Sequence, residues 1–319
     1  NDAFFINEEQ KEEFIKNEPK SEEIIKPLLR GRNICKFNYK FDELYVIFIP
    51  WHFPLNGDPS ISGASLEAEK AFKEQYPFVY NHLLKFKAEL SARNKSETGI
   101  RYEWYALQRP AATFAEEFEK EKLVWLSISD KPAFALDSKK MFVTAPAYIM
   151  TSDCNKYLLT MLNSKAMEWY LDKVSSSTGQ GTNQWSKIFV EQLPIPQLPE
   201  EKLKPFEILA DYLILLNDPN TPSIMEHASN EMISQQFEEV LNMMVYELYF
   251  EEHMKEKEID VLQFINFPDI SKMQTFEERR DAIQKIYYWM KEKDNPIRNR
   301  ILVSESRSWI IKRINQSTH

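Results

Sequence analysis

Two arginines separated by one glycine, Arg30-Gly31-Arg32, are the first residues whose types and spacing suggest binding chemistry. Lys36 and Lys40 follow closely, so four cations fall on one short segment. A guanidinium carries its N–H donors in a planar fork that matches a phosphate or the acceptor edge of guanine. The segment therefore predicts an anion-binding loop. For either arginine alone, capping a helix or pairing with a nearby acid is an equally good interpretation.

Two later stretches combine cations, amides and aromatic rings. Residues 101–110 interleave all three, which is typical of a surface on which bases stack, although core packing also uses such rings. Residues 175–184 carry hydroxyls, amides and glycines without a carboxylate, which favours anions, although a flexible linker has the same composition. The candidate DNA-contacting residues of these stretches and the next turn are Arg101, Tyr102, Gln108, Arg109, Ser177, Gly179, Gln180, Asn183 and Lys187.

Motifs that would make this chain an enzyme are missing from the sequence. It has no Asn/Asp/Ser-Pro-Pro-Tyr/Phe segment to hold a flipped base, and no glycine-rich turn to bind S-adenosylmethionine. One class of nuclease site has the pattern Pro-Asp … Asp/Glu-x-Lys. Here Pro268-Asp269 is followed by Glu277-Glu278-Arg279, which has arginine in place of the lysine. Histidines and cysteines lack metal-ligand spacing. We therefore predict no catalytic residue, no metal and no cofactor for this chain.

Composition and charge limit the class of protein. An apolar fraction of 43% over 319 residues is enough for two domains with real cores. Two cysteines cannot make a disulfide framework, and no apolar run is long enough to cross a bilayer, so we expect a cytoplasmic protein without a membrane partner. The start at Asn1-Asp2-Ala3 suggests a cut inside a longer polypeptide.

The net charge of -9 gives no support to nucleic-acid binding. Residues 1–199 hold 27 acidic and 25 basic side chains, whereas residues 200–319 hold 22 acidic and 15 basic ones. The acidity is thus concentrated in the last third, and a local basic face on the first part is compatible with the count.

Apolar periodicity gives the expected order of elements. Helices are predicted over residues 8–17 and 21–29, a buried strand over 43–50, and helical structure over 66–93 interrupted at Pro77. Short strands of an antiparallel or mixed sheet are predicted between residues 123 and 150, and a single helix over 157–174.

Three prolines, Pro194, Pro196 and Pro199, exclude a helix interior and a central strand, so they mark the best boundary. Beyond them, apolar residues keep a three-four spacing that predicts helices to the end. The sequence therefore predicts an α+β protein, with a mixed-sheet domain at 1–199 and an all-helical domain at 200–319.

The first 200 residues resemble the TaqI-like C-terminal specificity domain of type IIG restriction-modification enzymes and adenine-specific DNA methyltransferases. The run from Ser21 to Ile34 follows the family's Ile-Lys-Pro-Phe-Leu-Arg-Gly-Arg-Asp-Ile stretch, with Asn33 in place of the aspartate. Gln180 stands where an arginine is expected. The other segments that carry the resemblance are Asn1 to Ile6, Tyr102 to Pro110, Leu162 to Lys165 and Leu193 to Pro196.

The resemblance implies a target-recognition domain that grips double-stranded DNA and selects the site. In that family a methyltransferase domain precedes this region and flips the target adenine, and a nuclease domain, when present, lies further towards the N-terminus. S-adenosylmethionine, and Mg²⁺ where the parent also cleaves, would then be cofactors of the parent enzyme. The helical part would act as a scaffold.

The residues are also compatible with a second class of function. The acidic helical domain could dock a partner subunit without touching nucleic acid. A continuous positive cleft containing Arg30, Arg101, Arg109 and Lys187 would favour DNA, and its absence would favour the scaffold. We also expect Arg30→Ala and Arg32→Ala to weaken DNA binding by the intact enzyme.

Overall fold

The computed structural model describes residues 3–93, 102–110, 114–129, 131–175 and 183–318, without the side chains at 183 and 184. The fold is α+β, as predicted: the strands all lie before residue 185, and helices make up most of the chain after it. The chain divides into two compact units. The first comprises Asn1–Leu29, Phe41–Lys120 and Ser138–Thr144, and the second comprises Arg30–Lys40, Glu121–Asp137 and Ala145–His319. The boundary predicted after residue 199 stays a prediction, and the second unit runs across it.

Nine strands and twelve α-helices occur in the described part of the chain. The strands are β1 (Phe5–Asn7), β2 (Ile25–Leu29), β3 (Leu44–Ile47), β4 (Lys122–Leu126), β5 (Ile128–Ser129), β6 (Phe134–Asp137), β7 (Phe142–Val143), β8 (Ala147–Met150) and β9 (Asn183–Gln184). The helices are α1 (Glu8–Asn17), α2 (Leu66–Gln75), α3 (Pro77–Leu84), α4 (Lys87–Ser91), α5 (Asn155–Leu162), α6 (Lys165–Val174), α7 (Lys187–Val190), α8 (Glu200–Leu216), α9 (Asn230–Glu256), α10 (Phe276–Trp289), α11 (Pro296–Arg307) and α12 (Trp309–Ser317).

The first unit is built on a four-stranded sheet in the order β1-β3-β2-β7, with β7 parallel to β2 and the other pairs antiparallel. Helix α1 begins where predicted because Asn7 and Gln10 form a reciprocal capping box. The helix predicted over 21–29 is wrong. A 3-10 turn at Pro19–Ile24 leads into β2, because Pro27 has no N–H to donate and its ring clashes with the preceding turn of a helix.

The second unit contains the sheet β6-β4-β8, whose two pairs are both antiparallel, and the short pair β5-β9. The helix predicted over 157–174 is two helices, α5 and α6. The break falls at Asn163, whose buried side-chain amide bonds both main-chain groups of Phe134, with Nδ2 to O at 2.9 Å and N to Oδ1 at 3.1 Å. Ser164 then caps α6. The helix thus stops at Asn163, where hydrogen bonds between the side chain and the main chain of a distant strand take the place of a further helical turn.

Helices α8 to α12 continue the core of the second unit. Tyr157 of α5 packs edge-on to Phe206 of α8, and Tyr212 packs on Phe237 of α9, so α5 and the later helices share one apolar interior. The proline-rich stretch before α8 forms neither helix nor strand, as predicted. The acidic last third is therefore packed on strand-bearing residues rather than separated from them.

Asp269 holds the turn at Ile270–Lys272 in this helical region. Its carboxylate accepts hydrogen bonds from Ser271 and lies 3.2 Å from Lys204 Nζ and 3.3 Å from Lys272 Nζ. Burial by itself raises the pKa of Asp269, but the hydrogen bonds from Ser271 and the ammonium groups of Lys204 and Lys272 outweigh it and lower the pKa to about 2.

Asp269→Asn should therefore destabilise the protein in a pH-dependent way. A carboxyl whose folded pKa lies below its ordinary value of 3.8 stabilises the fold above that pH, and the contribution disappears as pH falls towards 2. We expect a loss of about 1 kcal/mol in unfolding free energy at pH 7 that shrinks by pH 3, measured by urea unfolding. Asp281→Asn, in an exposed Arg280–Asp281 pair, is the control. A loss that is equal at both pH values would contradict this assignment.

Candidate nucleic-acid interface

The predicted cations Arg30, Arg32, Lys36 and Lys40 lie on one folded segment of the second unit, Arg30–Lys40, which we call the cationic segment. It opens with a 3-10 turn at Gly31–Asn33 and then doubles back. Lys40 N donates to Asn33 O and Cys35 N to Asn38 O, each at 2.9 Å. These main-chain bonds give the segment a defined shape.

Gly31 allows the turn to lie close to strand β4. A Cβ atom added at Gly31 would come within 2.5 Å of Leu126 Cδ1, well inside the normal contact distance. The glycine between the two arginines therefore lets the main chain approach β4, which explains the Arg-Gly-Arg spacing in packing terms.

Phe37 anchors the tip of the segment. Its side chain is fully buried, its N–H donates to Phe134 O at 2.8 Å, and it forms a parallel bridge with Ala135 of β6. Its φ of 68° lies in the left-handed region, which costs a non-glycine residue about 1–2 kcal/mol. Full burial of a phenyl ring contributes about 1.5–3 kcal/mol, so the packing offsets the strain.

A series of buried polar contacts, from Tyr39 through Asp137 to Lys122, holds the end of the segment. Tyr39 Oη donates to Asp137 Oδ1 at 2.9 Å, and Lys122 Nζ lies 2.5 Å from Asp137 Oδ2. Lys122 and Asp137 are both fully buried and lie opposite each other in the β4–β6 register. Burial, and then the negative charge of Asp137, raise the pKa of Tyr39, so its hydroxyl stays protonated as a donor.

Two contacts join the segment to the helices of its own unit. Asn38 Nδ2 donates to Ile214 O of α8 at 3.2 Å, and Lys36 Nζ lies 2.5 Å from Glu238 Oε2 of α9. Lys36, predicted as a DNA contact, is thus held in an ion pair with one third of its side chain exposed. The helical part supports the segment directly.

The segment presents the remaining cations towards solvent. Arg32 and Lys40 are exposed and Arg30 is half-buried. Within the residues that the structure describes, the side chains of Arg30 and Lys40 form no hydrogen bond or ion pair. Cys35, between them, is exposed. A rigid loop with available positive charge is suited to holding an anion.

The other predicted site residues fall elsewhere. Tyr102, Gln108 and Arg109 belong to the first unit, where Tyr102 stacks on Trp51 with centroids 5.3 Å apart. Lys187 is exposed in the second unit, 3.4 Å from Glu191. Arg101, Ser177, Gly179 and Gln180 lie outside the described residues, and only the backbone of Asn183 is described, in β9. The predicted cleft of Arg30, Arg101, Arg109 and Lys187 stays a prediction.

A carboxylate clamp beside Tyr102 is absent from the sequence prediction. Glu103, which is 2% exposed, accepts from His52 N at 2.7 Å, from His52 Nδ1 at 2.9 Å and from Ser65 N at 2.9 Å. It thereby ties both ends of the loop that begins at Trp51. No local pattern signals a pairing over 51 residues, so sequence reasoning had no means of finding it.

Over the described ranges, no three His, Cys, Asp or Glu side chains are grouped so that they could hold a metal ion. Nor does the described part contain a helix that is both long and apolar enough to cross a membrane.

Residues 26–195 match the TaqI-like C-terminal specificity domain over more than half of the chain. The chain belongs to this family. The specificity domain includes the whole cationic segment, its buried anchors and every other predicted site residue.

One solved structure to which the chain shows similarity is the "Type IIL restriction-modification enzyme MmeI in complex with DNA". Sequence identity is 16% and the TM-score is 0.47, over 90% of this chain and 33% of that one. The chain thus spans about a third of the length of that protein. No match was found among curated proteins.

Proposed function

We propose that this chain is the DNA target-recognition region of a type II, IIG-like, restriction-modification enzyme or adenine-specific DNA methyltransferase. The observation that carries the proposal is the cationic segment, which lies inside the matched specificity domain and offers Arg30, Arg32 and Lys40 from a fixed loop. Double-stranded DNA is the partner. Methyl transfer with S-adenosylmethionine, and Mg²⁺-dependent cleavage where it occurs, belong to domains of the same polypeptide that precede this one.

The chemistry of the segment suits both positioning and sequence reading. Lysine and arginine contacts to phosphates fix orientation, whereas a guanidinium paired with a base edge discriminates by about 1–3 kcal/mol. The overall charge of -9 opposes long-range attraction, so binding depends on the local cations and weakens steeply as salt rises.

Alkylation of the two cysteines tests whether DNA covers the segment. Cys35 is exposed between Arg32 and Lys40, and Cys154, half-buried elsewhere in the same unit, is the internal reference. With excess duplex of randomised sequence at low salt, we expect N-ethylmaleimide to modify Cys35 about ten times more slowly while Cys154 is unchanged. Equal rates at Cys35 with and without DNA would count against the proposal.

Substitution of the available cations supplies the second arm of this test. Arg30→Ala and Lys40→Ala should each lower DNA affinity about 3- to 10-fold and reduce the slope of log affinity against log salt by about one. Arg313→Ala, at an exposed position of α12, is the matched control and should bind as the wild type does. The proposal fails if both segment variants also bind as the wild type does.

A second candidate is protein docking through the helical part. Leu302 and Trp309, on α11 and α12, are 65% and 74% exposed, which is high for large apolar side chains. Under that alternative the chain would associate with a partner protein. DNA would then not protect Cys35 from alkylation, and any DNA binding would not depend on Arg30.

A further inference from the structure

We infer that Tyr39 is a positioning residue for DNA binding: through Asp137 and Lys122 it sets where the cationic segment holds Arg30 and Lys40. The inference rests on the proposed function and concerns the same segment. Tyr39 itself is 7% exposed, so it acts through the residues beside it and not by touching DNA.

Strands β4 and β6, the second of which bridges the segment at Phe37, share a buried ion pair. Lys122 and Asp137 are direct partners across β4 and β6, and both are fully buried. A slip of one residue would turn one of them to the opposite face of the sheet and leave a charge without its partner. A buried ion pair adds little stability, and its best-attested role is to specify such a register.

Tyr39 connects that register to the segment. The oxygens of the Asp137 carboxylate divide between Lys122 and the Tyr39 hydroxyl, so Tyr39 occupies a position defined by the strand pair. Tyr39 also bridges Ile34, and its neighbour Lys40 bonds Asn33 at the end of the arginine turn. A displacement at Tyr39 is therefore transmitted to Lys40 and to the turn.

Positioning can be separated from folding at Tyr39. Tyr39→Phe keeps the ring and removes one hydroxyl, while Phe37, Gly31 and the main-chain bonds still hold the segment in place. Binding groups need placement to within about 0.5 Å, which is finer than the tolerance of the fold. The loss of the hydroxyl should thus affect DNA binding more than it affects folding.

The experiment compares Tyr39→Phe with Tyr212→Phe in the full chain. Tyr212 is buried in the same unit and donates to Pro268 O at 3.1 Å, so the control removes the same atom from a hydroxyl that does not bond the segment. We expect Tyr39→Phe to lower affinity for duplex DNA about 5-fold and to reduce the salt slope, with faster amide exchange at residues 33–40. Tyr212→Phe should change neither the affinity nor this exchange.

A double substitution shows whether Tyr39 works through the cations. In an Arg30→Ala, Lys40→Ala background, Tyr39→Phe should cause little further loss of affinity, because the groups that it positions are gone. An equal further loss in that background would overturn the inference, and so would unchanged binding by Tyr39→Phe alone. Unfolding of Tyr39→Phe would also overturn it, by showing that the hydroxyl is required for the fold.

The two proposals fail in different ways. If Arg30→Ala and Lys40→Ala both bind DNA as the wild type does, the proposed function itself is wrong. If they weaken binding and Tyr39→Phe does not, DNA recognition stands and only the positioning role of Tyr39 is lost.

Discussion

Lys122→Met is expected to destabilise the protein by about 3–5 kcal/mol, because it removes the ammonium group that lies against the buried Asp137 carboxylate. Methionine fills much of the volume of the lysine stem, so the loss reflects electrostatics more than packing. Urea unfolding followed by circular dichroism measures it. An effect of this size is a large fraction of the roughly 5–15 kcal/mol that is typical of folded proteins.

The double variant Lys122→Met, Asp137→Leu separates the effect of the buried charge on stability from its effect on DNA binding. Replacement of both members of a buried pair by apolar residues is often neutral or stabilising, so this variant should recover most of the loss. Tyr39 would then lose its acceptor, and DNA affinity should stay low while stability returns. Equal destabilisation of the single and double variants would show that packing around Lys122, and not the loss of its ammonium group, sets the cost.

Phe37→Ala should cost about 3–5 kcal/mol, the range for removing a large buried aromatic side chain. Alanine leaves a cavity in the second unit and keeps the left-handed backbone, whose strain the ring no longer offsets. The measurement is again urea unfolding. Phe114→Ala is the control, because Phe114 is 47% exposed and its truncation should stay within about 0.5 kcal/mol.

Phe37→Leu tests the packing explanation further. Leucine restores much of the buried apolar area at the same φ, so it should recover a substantial part of the alanine loss. If Phe37→Leu were as unstable as Phe37→Ala, the shape of the ring within its buried cluster, and not its area, would be what holds the tip of the segment.

The anchors of the cationic segment combine features that are costly when taken singly. A non-glycine residue at positive φ and a fully buried ion pair both lower the stability that an apolar, unstrained design would reach. Phe37 belongs to the cationic segment itself, and the ion pair bonds the segment through Tyr39. A fixed geometry for binding groups accounts for their presence at this place.

The sequence determined the features that depend on neighbours a few residues apart. The start of α1 follows from its capping box, the break between α2 and α3 follows from Pro77, and the close spacing of Arg30, Arg32 and Lys40 can be read directly from the sequence. The prolines before α8 likewise predicted extended backbone. Such signals act over one or two turns, so they survive without knowledge of the rest of the fold.

Tertiary structure alone decided which of these residues are available for binding. Lys36 meets Glu238 across 202 residues, and Tyr39 meets Asp137 across 98. Asn163 ends a helix because its side-chain amide exchanges two hydrogen bonds with the main chain of Phe134, 29 residues away. Periodicity and capping carry no information about partners at such separations, which packing selects. The Arg-Gly-Arg spacing indicated a binding segment, but only the fold showed that Lys36 is held by Glu238 and which buried groups hold the segment in place.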